Sequence, residues 1–192
     1  MPDPHVFMLT TRKSSRLLVG LTLACLFNAS PCMAQSRAAS ETELKAAFVF
    51  NFARFVEWPS SAFDADHGAF RICVAGSAPM ADLLDEVTAD KMVDGRKVQV
   101  RRVKSSDSKL RECHILLVES GSPESFVEAT HDSSVLTVGN GTQFIEKGGM
   151  VDFINEHDTI RFEINPDLPQ RLQLKISSKL LALARLVRTT QP

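Results

Sequence analysis

The sequence predicts an α/β domain: a mostly parallel sheet with helices on both faces, and an antiparallel hairpin added to it. Three observations carry this reading. Short continuous apolar runs, "FRICVAG" (70–76), "CHILLVES" (113–120) and "SVLTVG" (134–139), have the look of strands buried on both faces. Helical patterns separate them, as crossovers between parallel strands require. Near the C-terminal end the period changes: "GGMVDFINEHDTIRFEIN" (148–165) holds two alternating stretches about a turn-like Asn155 to Asp158, the pattern of a hairpin.

The elements follow in order. Arg12, Lys13 and Arg16 precede the apolar run Leu17 to Phe27, and Cys32-Met33-Ala34 then offers a small-x-small cleavage pattern. The run is too short to span a bilayer, so residues 1–34 are expected to be a secretion signal cleaved near Ala34. The remainder, 35–192, is long enough for one domain with a sizeable core and short for two. Cleavage takes away three of the 22 basic and one of the 23 acidic residues and leaves a net charge of −3. Basic residues are scattered, which argues against a nucleic-acid partner.

Ser40-Glu41-Thr42-Glu43 has capping-box form and predicts that a helix opens at Ser40. In "KAAFVFNFARFVEWP" (45–59) the helical period gathers Leu44, Phe48, Val49, Phe52, Phe55 and Val56 on one arc. Glu43, Asn51, Arg54 and Glu57 fall opposite, and Pro59 stops the helix. A core helix is therefore expected rather than a membrane anchor. Phe50 lies within the polar arc and Trp58 near its edge, which makes both candidates for a protein-contact surface. Further on, "PMADLLDEVTAD" (79–90) reads as a helix with Pro79 at its first position, and "RKVQVRRV" (96–103) as an alternating strand. "SPESFVEAT" (122–130) reads as a short helix capped by Ser122. "SSKLLALARLVR" (177–188) predicts a final helix whose Arg185 and Arg188 suit its C-terminal dipole.

Export gives the cysteines meaning. Cys25 and Cys32 leave with the signal; Cys73 and Cys113 remain, and in an oxidising compartment a disulfide between them is expected. They lack the C-x-x-C spacing of a redox-active pair.

The search for chemistry yields no catalytic residues. His5, His67, His114, His131 and His157 sit in unrelated segments without metal-ligand spacing, so no metal site is expected. "GSAP" after the first long strand lacks the glycines of a dinucleotide turn, and "GNGT" (139–142) lacks the lysine of a phosphate loop. Ser120-Gly121-Ser122 is no nucleophile elbow. His114 beside Cys113 could suggest an activated thiol, but neighbours along a strand point to opposite faces. No cofactor is expected, and the chain does not read as an enzyme.

The ordered series "ELKAAFVFNFARFVEWP", "FRICVAG", "ECHILLVE", "VLTVGN", "EKGGMVDFINEHDTIRFEIN" and "LKISSKLLALARLV" closely resembles the YfiR family of exported bacterial proteins, the DUF4154 domain, over essentially the whole mature chain. The resemblance implies a periplasmic inhibitor that binds the periplasmic region of the inner-membrane diguanylate cyclase YfiN and lowers cyclic di-GMP and biofilm formation. It implies that an OmpA-like outer-membrane lipoprotein, YfiB, sequesters the inhibitor, and a homodimer is expected. Cys73 and Cys113 match the family's cysteines at the corresponding strands. The second cysteine pair of some members is missing from "FIEKGGMVDF" (144–153), so redox regulation through such a pair does not carry over. By resemblance, partner contact is placed around Phe153, Glu163 and Ile164. The alternative is a periplasmic small-ligand sensor using the crevice at the C-terminal ends of the strands, with Arg54 or Arg171 neutralising an anion.

Overall fold

The computed structural model describes residues 32–63, 68–141, 143–157 and 159–189. The expected secretion signal lies outside them except for its last three residues. Helix α1 (Cys32–Phe55) runs directly into β1 (Val56–Glu57). The chain continues through β2 (Phe70–Ala75), α2 (Ala78–Thr88), β3 (Met92–Val93), β4 (Arg96–Arg102), β5 (Ile115–Val118), α3 (Pro123–Thr130) and β6 (Leu136–Gly139). It ends with β7 (Val151–Glu156), β8 (Thr159–Ile164), α4 (Asp167–Arg171), β9 (Lys175–Ile176), α5 (Ser178–Leu181) and β10 (Arg185–Leu186). Residues Arg37–Pro192 make one compact unit.

Eight strands form one sheet in the order β10-β8-β7-β6-β5-β2-β4-β3. The centre is parallel, from β4 through β2, β5 and β6 to β7. Strands β7 and β8 are the added antiparallel hairpin, with Phe153 opposite Phe162 and Val151 opposite Ile164. Because successive side chains on a strand point to opposite faces, the apolar runs feed two cores. Ile72, Val74, Ile115, Leu117, Leu136 and Val138 face α1 and α2, while Cys73, Ala75, Leu116 and Val118 face α3 with its Phe126. Helices therefore cover both faces, as the apolar runs predict.

Local chemistry explains the crossover helices. Ser77 stands at the N-cap of α2 with Pro79 in the first turn, one position later than expected. Ser122 caps α3 by accepting the Ser125 N–H at 3.5 Å, with Pro123 at the first position.

Four expectations need correction. Helix α1 opens upstream of Ser40, at Cys32, so the Ser40–Glu43 pattern lies inside it; Met33, Ala34, Gln35, Arg37, Ala38 and Ala39 are good helix formers and extend it backwards. The helix also ends earlier, at Phe55. The chain becomes extended at Val56 and pairs with β9 (Val56 opposite Ile176, Glu57 opposite Lys175), in keeping with the extended backbone that Pro59 imposes just before itself. The buried arc of α1 is rotated towards its alanines: Ala46, Val49, Phe52 and Ala53 are buried, whereas Leu44 is exposed. Two alanines let the helix backbone approach the sheet, with Phe48 and Phe55 flanking the contact. Last, the helix expected over 177–188 stops at Leu181. Arg185 and Leu186 instead pair in parallel with Glu163 and Ile164, because the open edge of β8 offers backbone hydrogen bonds that outweigh a local helical preference.

Candidate functional site

The residues proposed for partner contact separate into surface and interior. Phe50 is half-buried and occupies the outward stripe of α1, where Glu43, Ala47 and Arg54 are exposed. Trp58 is buried. Having left the helix two residues earlier, it no longer follows the helical angle; its ring meets Phe70 edge-on at 4.9 Å and its indole N–H donates to the His114 carbonyl at 3.2 Å. Phe153 and Ile164 are likewise interior, at 2 % and 0 % exposure. The Phe153 ring lies 5.9 Å from that of Phe52, because inward positions of the hairpin alternate towards α1. In this fold Trp58, Phe153 and Ile164 are core positions and present little or no surface.

Glu163 points to the other face of the hairpin. It is bound by Arg185, which also reaches Glu156 at 3.9 Å, and Glu156 in turn pairs with Arg161 at 3.1 Å. This cluster ties β10 onto β8. Beside it, Asp152 is 2 % exposed and accepts the backbone N–H groups of Gly141 at 2.7 Å and Phe144 at 3.2 Å. Burial pushes its carboxyl above the ordinary range, opposed by hydrogen bonds from Gly141, Phe144 and Phe153. Gly141 of "GNGT" thus belongs to a turn that folds against a carboxylate. The Phe144 ring lies directly over Gly139 and Gly149, where a Cβ would collide with it.

The C-terminal ends of the strands form a second locality. The chain passes from β2 to β4 on one side and then returns to β5 on the other, so β2 stands at the point where the winding reverses direction. Such a switch leaves a crevice beyond the strand ends. Here it is an open cavity of about 710 Å³ whose wall includes Ala75, Gly76, Val103, Lys104, Ser120 and Phe126. Neither Arg54 nor Arg171 lines it. Arg54 is on the outward stripe of α1, and Arg171 ends α4 at the lip of a separate cavity of about 390 Å³, near His131 and Lys147. There Glu124 is held down to about 2 by its own backbone N–H, the Ser122 hydroxyl and the Lys147 ammonium. The cations at the strand ends are Arg102 and Lys104, in "RRVKSSD". The general rule for open α/β sheets points to strand ends such as that of 96–103, but which strands end side by side is given only by the fold.

Cys73 and Cys113 form the expected disulfide, their Cα atoms 5.9 Å apart. The thiol that His114 could have activated is therefore oxidised. His114 is buried, its Nδ1 accepting the Arg71 N–H at 2.9 Å between the rings of Phe63 and Phe70. Among the described residues no group of three or more His, Cys, Asp or Glu side chains is arranged to hold a metal ion, and no helix is long and apolar enough to cross a membrane.

A family model described as YfiR/HmsC-like (DUF4154) matches residues 42–185. Among solved structures, the chain is similar to a conserved domain protein from Vibrio cholerae O1 biovar El Tor strain N16961, at 12 % identity and a TM-score of 0.52. The match covers 76 % of this chain and 59 % of the Vibrio chain, and it bears on the fold alone. No curated protein matches.

Proposed function

The chain belongs to the YfiR/HmsC-like family, and on that premise we propose that it is a periplasmic inhibitory binding protein. It represses an inner-membrane diguanylate cyclase by binding the enzyme's periplasmic region, and so lowers cyclic di-GMP and biofilm formation. The observation that carries this reading is the family match over residues 42–185. The Cys73–Cys113 bridge suits an oxidising compartment.

Inhibition of this kind is regulatory and needs no catalysis by the inhibitor. A binder silences an enzyme when it prefers the inactive conformation; moving a two-state equilibrium from 1:99 to 99:1 takes about 5.5 kcal/mol of differential affinity. An interface of that strength needs a desolvated anchor, and Phe50 beside Arg54 on the outward stripe of α1 is our candidate, with Glu163 as a second. A YfiB-like lipoprotein and a second copy of the chain complete the set of partners.

The test is titration of the purified, oxidised protein against the cyclase's periplasmic region. Phe50→Asp is expected to lose at least about tenfold in affinity; because Phe50 also packs partly against the core, its melting temperature is measured alongside and binding is compared well below it. Unchanged affinity and oligomeric state would remove Phe50 from the interface, and no binding by the unaltered protein would reject the inhibitory reading itself.

A further inference from the structure

We propose that the open edge of β10 is where a second copy of this chain binds, edge to edge in an antiparallel pair whose two-fold axis passes through Leu186. This gives a surface to the second copy named among the partners, and it holds or fails without any assumption about the cyclase. Strand β10 ends the eight-stranded sheet, and among the described residues no strand lies beyond it. It runs parallel to β8, and the Val187 N–H donates to the Ile164 carbonyl at 3.0 Å, so the backbone groups of Arg185 and Val187 point into the sheet. Those of Leu186 therefore point out of the edge.

The same segment carries apolar surface. Leu183 is 70 % exposed and Leu186 51 %, two of the four large apolar side chains exposed among the described residues. Its two cations have partners within the chain: Glu163 binds Arg185, and Asp167 pairs with Arg188 at 3.6 Å. No uncompensated charge therefore opposes the approach of a copy. The other edge of the sheet differs. There β3 covers the start of β4, and the rest of β4 carries Arg101 and Arg102; charged side chains are a common device that keeps sheet edges from pairing.

Hydrogen bonding and charge select the register. About a two-fold axis perpendicular to the sheet each face stays continuous, so residues of the same orientation must oppose each other. With Leu186 opposite its own copy, the two leucines exchange both N–H···O bonds, the Arg188 N–H faces the Ala184 carbonyl across the axis, and Arg185 stands opposite Val187. Moving the axis to Arg185 sets two arginines against each other, which is destabilising. Moving it to Val187 sets Leu186 against Arg188. The Ala184 N–H already donates to the Leu181 carbonyl at 3.3 Å, so the paired stretch is confined to residues 184–188. Such an edge buries far less than the standard interface of about 1,600 Å², and the dimer is expected to dissociate in the micromolar range.

The experiment is sedimentation of the oxidised protein, purified without residues 1–34, from about 10 to about 500 μM. A concentration-dependent dimer is expected. Leu186→Lys, which places two like charges at the axis, should weaken it about tenfold. Met92→Lys, at a 57 % exposed residue on the opposite edge, should leave it unchanged. In this protein Cys73 and Cys113 are already bridged, so Leu186→Cys adds the one free thiol. Air oxidation should join it to its copy, because opposed residues of such a pair have Cα atoms about 5.5 Å apart. Val187→Cys should not link, since its copies lie diagonally, at about 8 Å. A monomer throughout the range, equal weakening by Leu186→Lys and Met92→Lys, or cross-linking at position 187 in preference to 186 would each overturn the assignment. A dimer that Leu186→Lys leaves intact would overturn it too, while keeping a second copy among the partners.

Discussion

Reduction of the Cys73–Cys113 bridge is expected to cost about 4 kcal/mol of folding stability. The bridge joins residues 40 apart in sequence. In the chain-entropy relation a closed loop of that length removes about 13 cal/mol/K from the unfolded ensemble, which at 25 °C is about 4 kcal/mol. The native fold does not need the bridge to hold its neighbours together: β2 already pairs with β5, Cys73 lying opposite Leu116. The effect should therefore act mainly through the unfolded chain, leaving the native structure in place. Against a typical total of about 5–15 kcal/mol the loss is large, and for a domain of this size it corresponds to a fall in Tm of about 8–16 °C. Guanidinium unfolding, followed by the fluorescence of the single, buried Trp58 with and without reductant, measures it. The denaturant slope should steepen on reduction, since an unbridged chain exposes more surface when it unfolds. A Cys73→Ala/Cys113→Ala variant should match the reduced protein to within the cost of two small cavities. A loss under about 1 kcal/mol would refute the reasoning, as would loss of the native signal on reduction in the absence of denaturant.

Two further outcomes test the loop around Asp152 and Phe144. Gly149→Ala places a methyl group where the Phe144 ring lies and should cost about 1–3 kcal/mol in chemical denaturation; adding Phe144→Leu should recover part of that loss, and strict additivity of the two changes would argue against the contact. Asp152 has a folded-state pKa raised by burial, so it favours folding most below the ordinary carboxylate range, and that contribution is lost as pH rises through the raised value. Asp152→Asn cannot ionise, so its stability relative to the unaltered protein should improve from acid to neutral pH; a pH-independent difference would contradict the assigned shift.

Much of the fold was legible because its strands are buried on both faces. "FRICVAG" and "CHILLVES" have no polar side to mislead the reading, and the parallel centre follows from them. What was missed lay at edges and ends. Strand β3 is only Met92–Val93, and it pairs with β4 across Asp94-Gly95, whose φ values of 48° and 77° are those of a tight hairpin. That Asp-Gly pair was a usable signal beside the strand at 96–103. The end of the chain carried a misleading one: "LLALARLVR" has helical periodicity, yet an available strand edge takes Arg185 and Leu186. Trp58 was read on a helical wheel that had already ended at Phe55. For the candidate sites, the disulfide was legible from the cysteine count and the expectation of export. The crevice's cations were not, because Lys104 joins the crevice wall only once β2, β4 and β5 end side by side.

The central claim is inhibition of a diguanylate cyclase, and intracellular cyclic di-GMP tests it most directly, measured with and without this gene in a background holding the partner cyclase and again after the cyclase is deleted. The account predicts a rise on loss of the gene that disappears when the cyclase is absent. An unchanged level in both backgrounds, or a rise that persists without the cyclase, would contradict it.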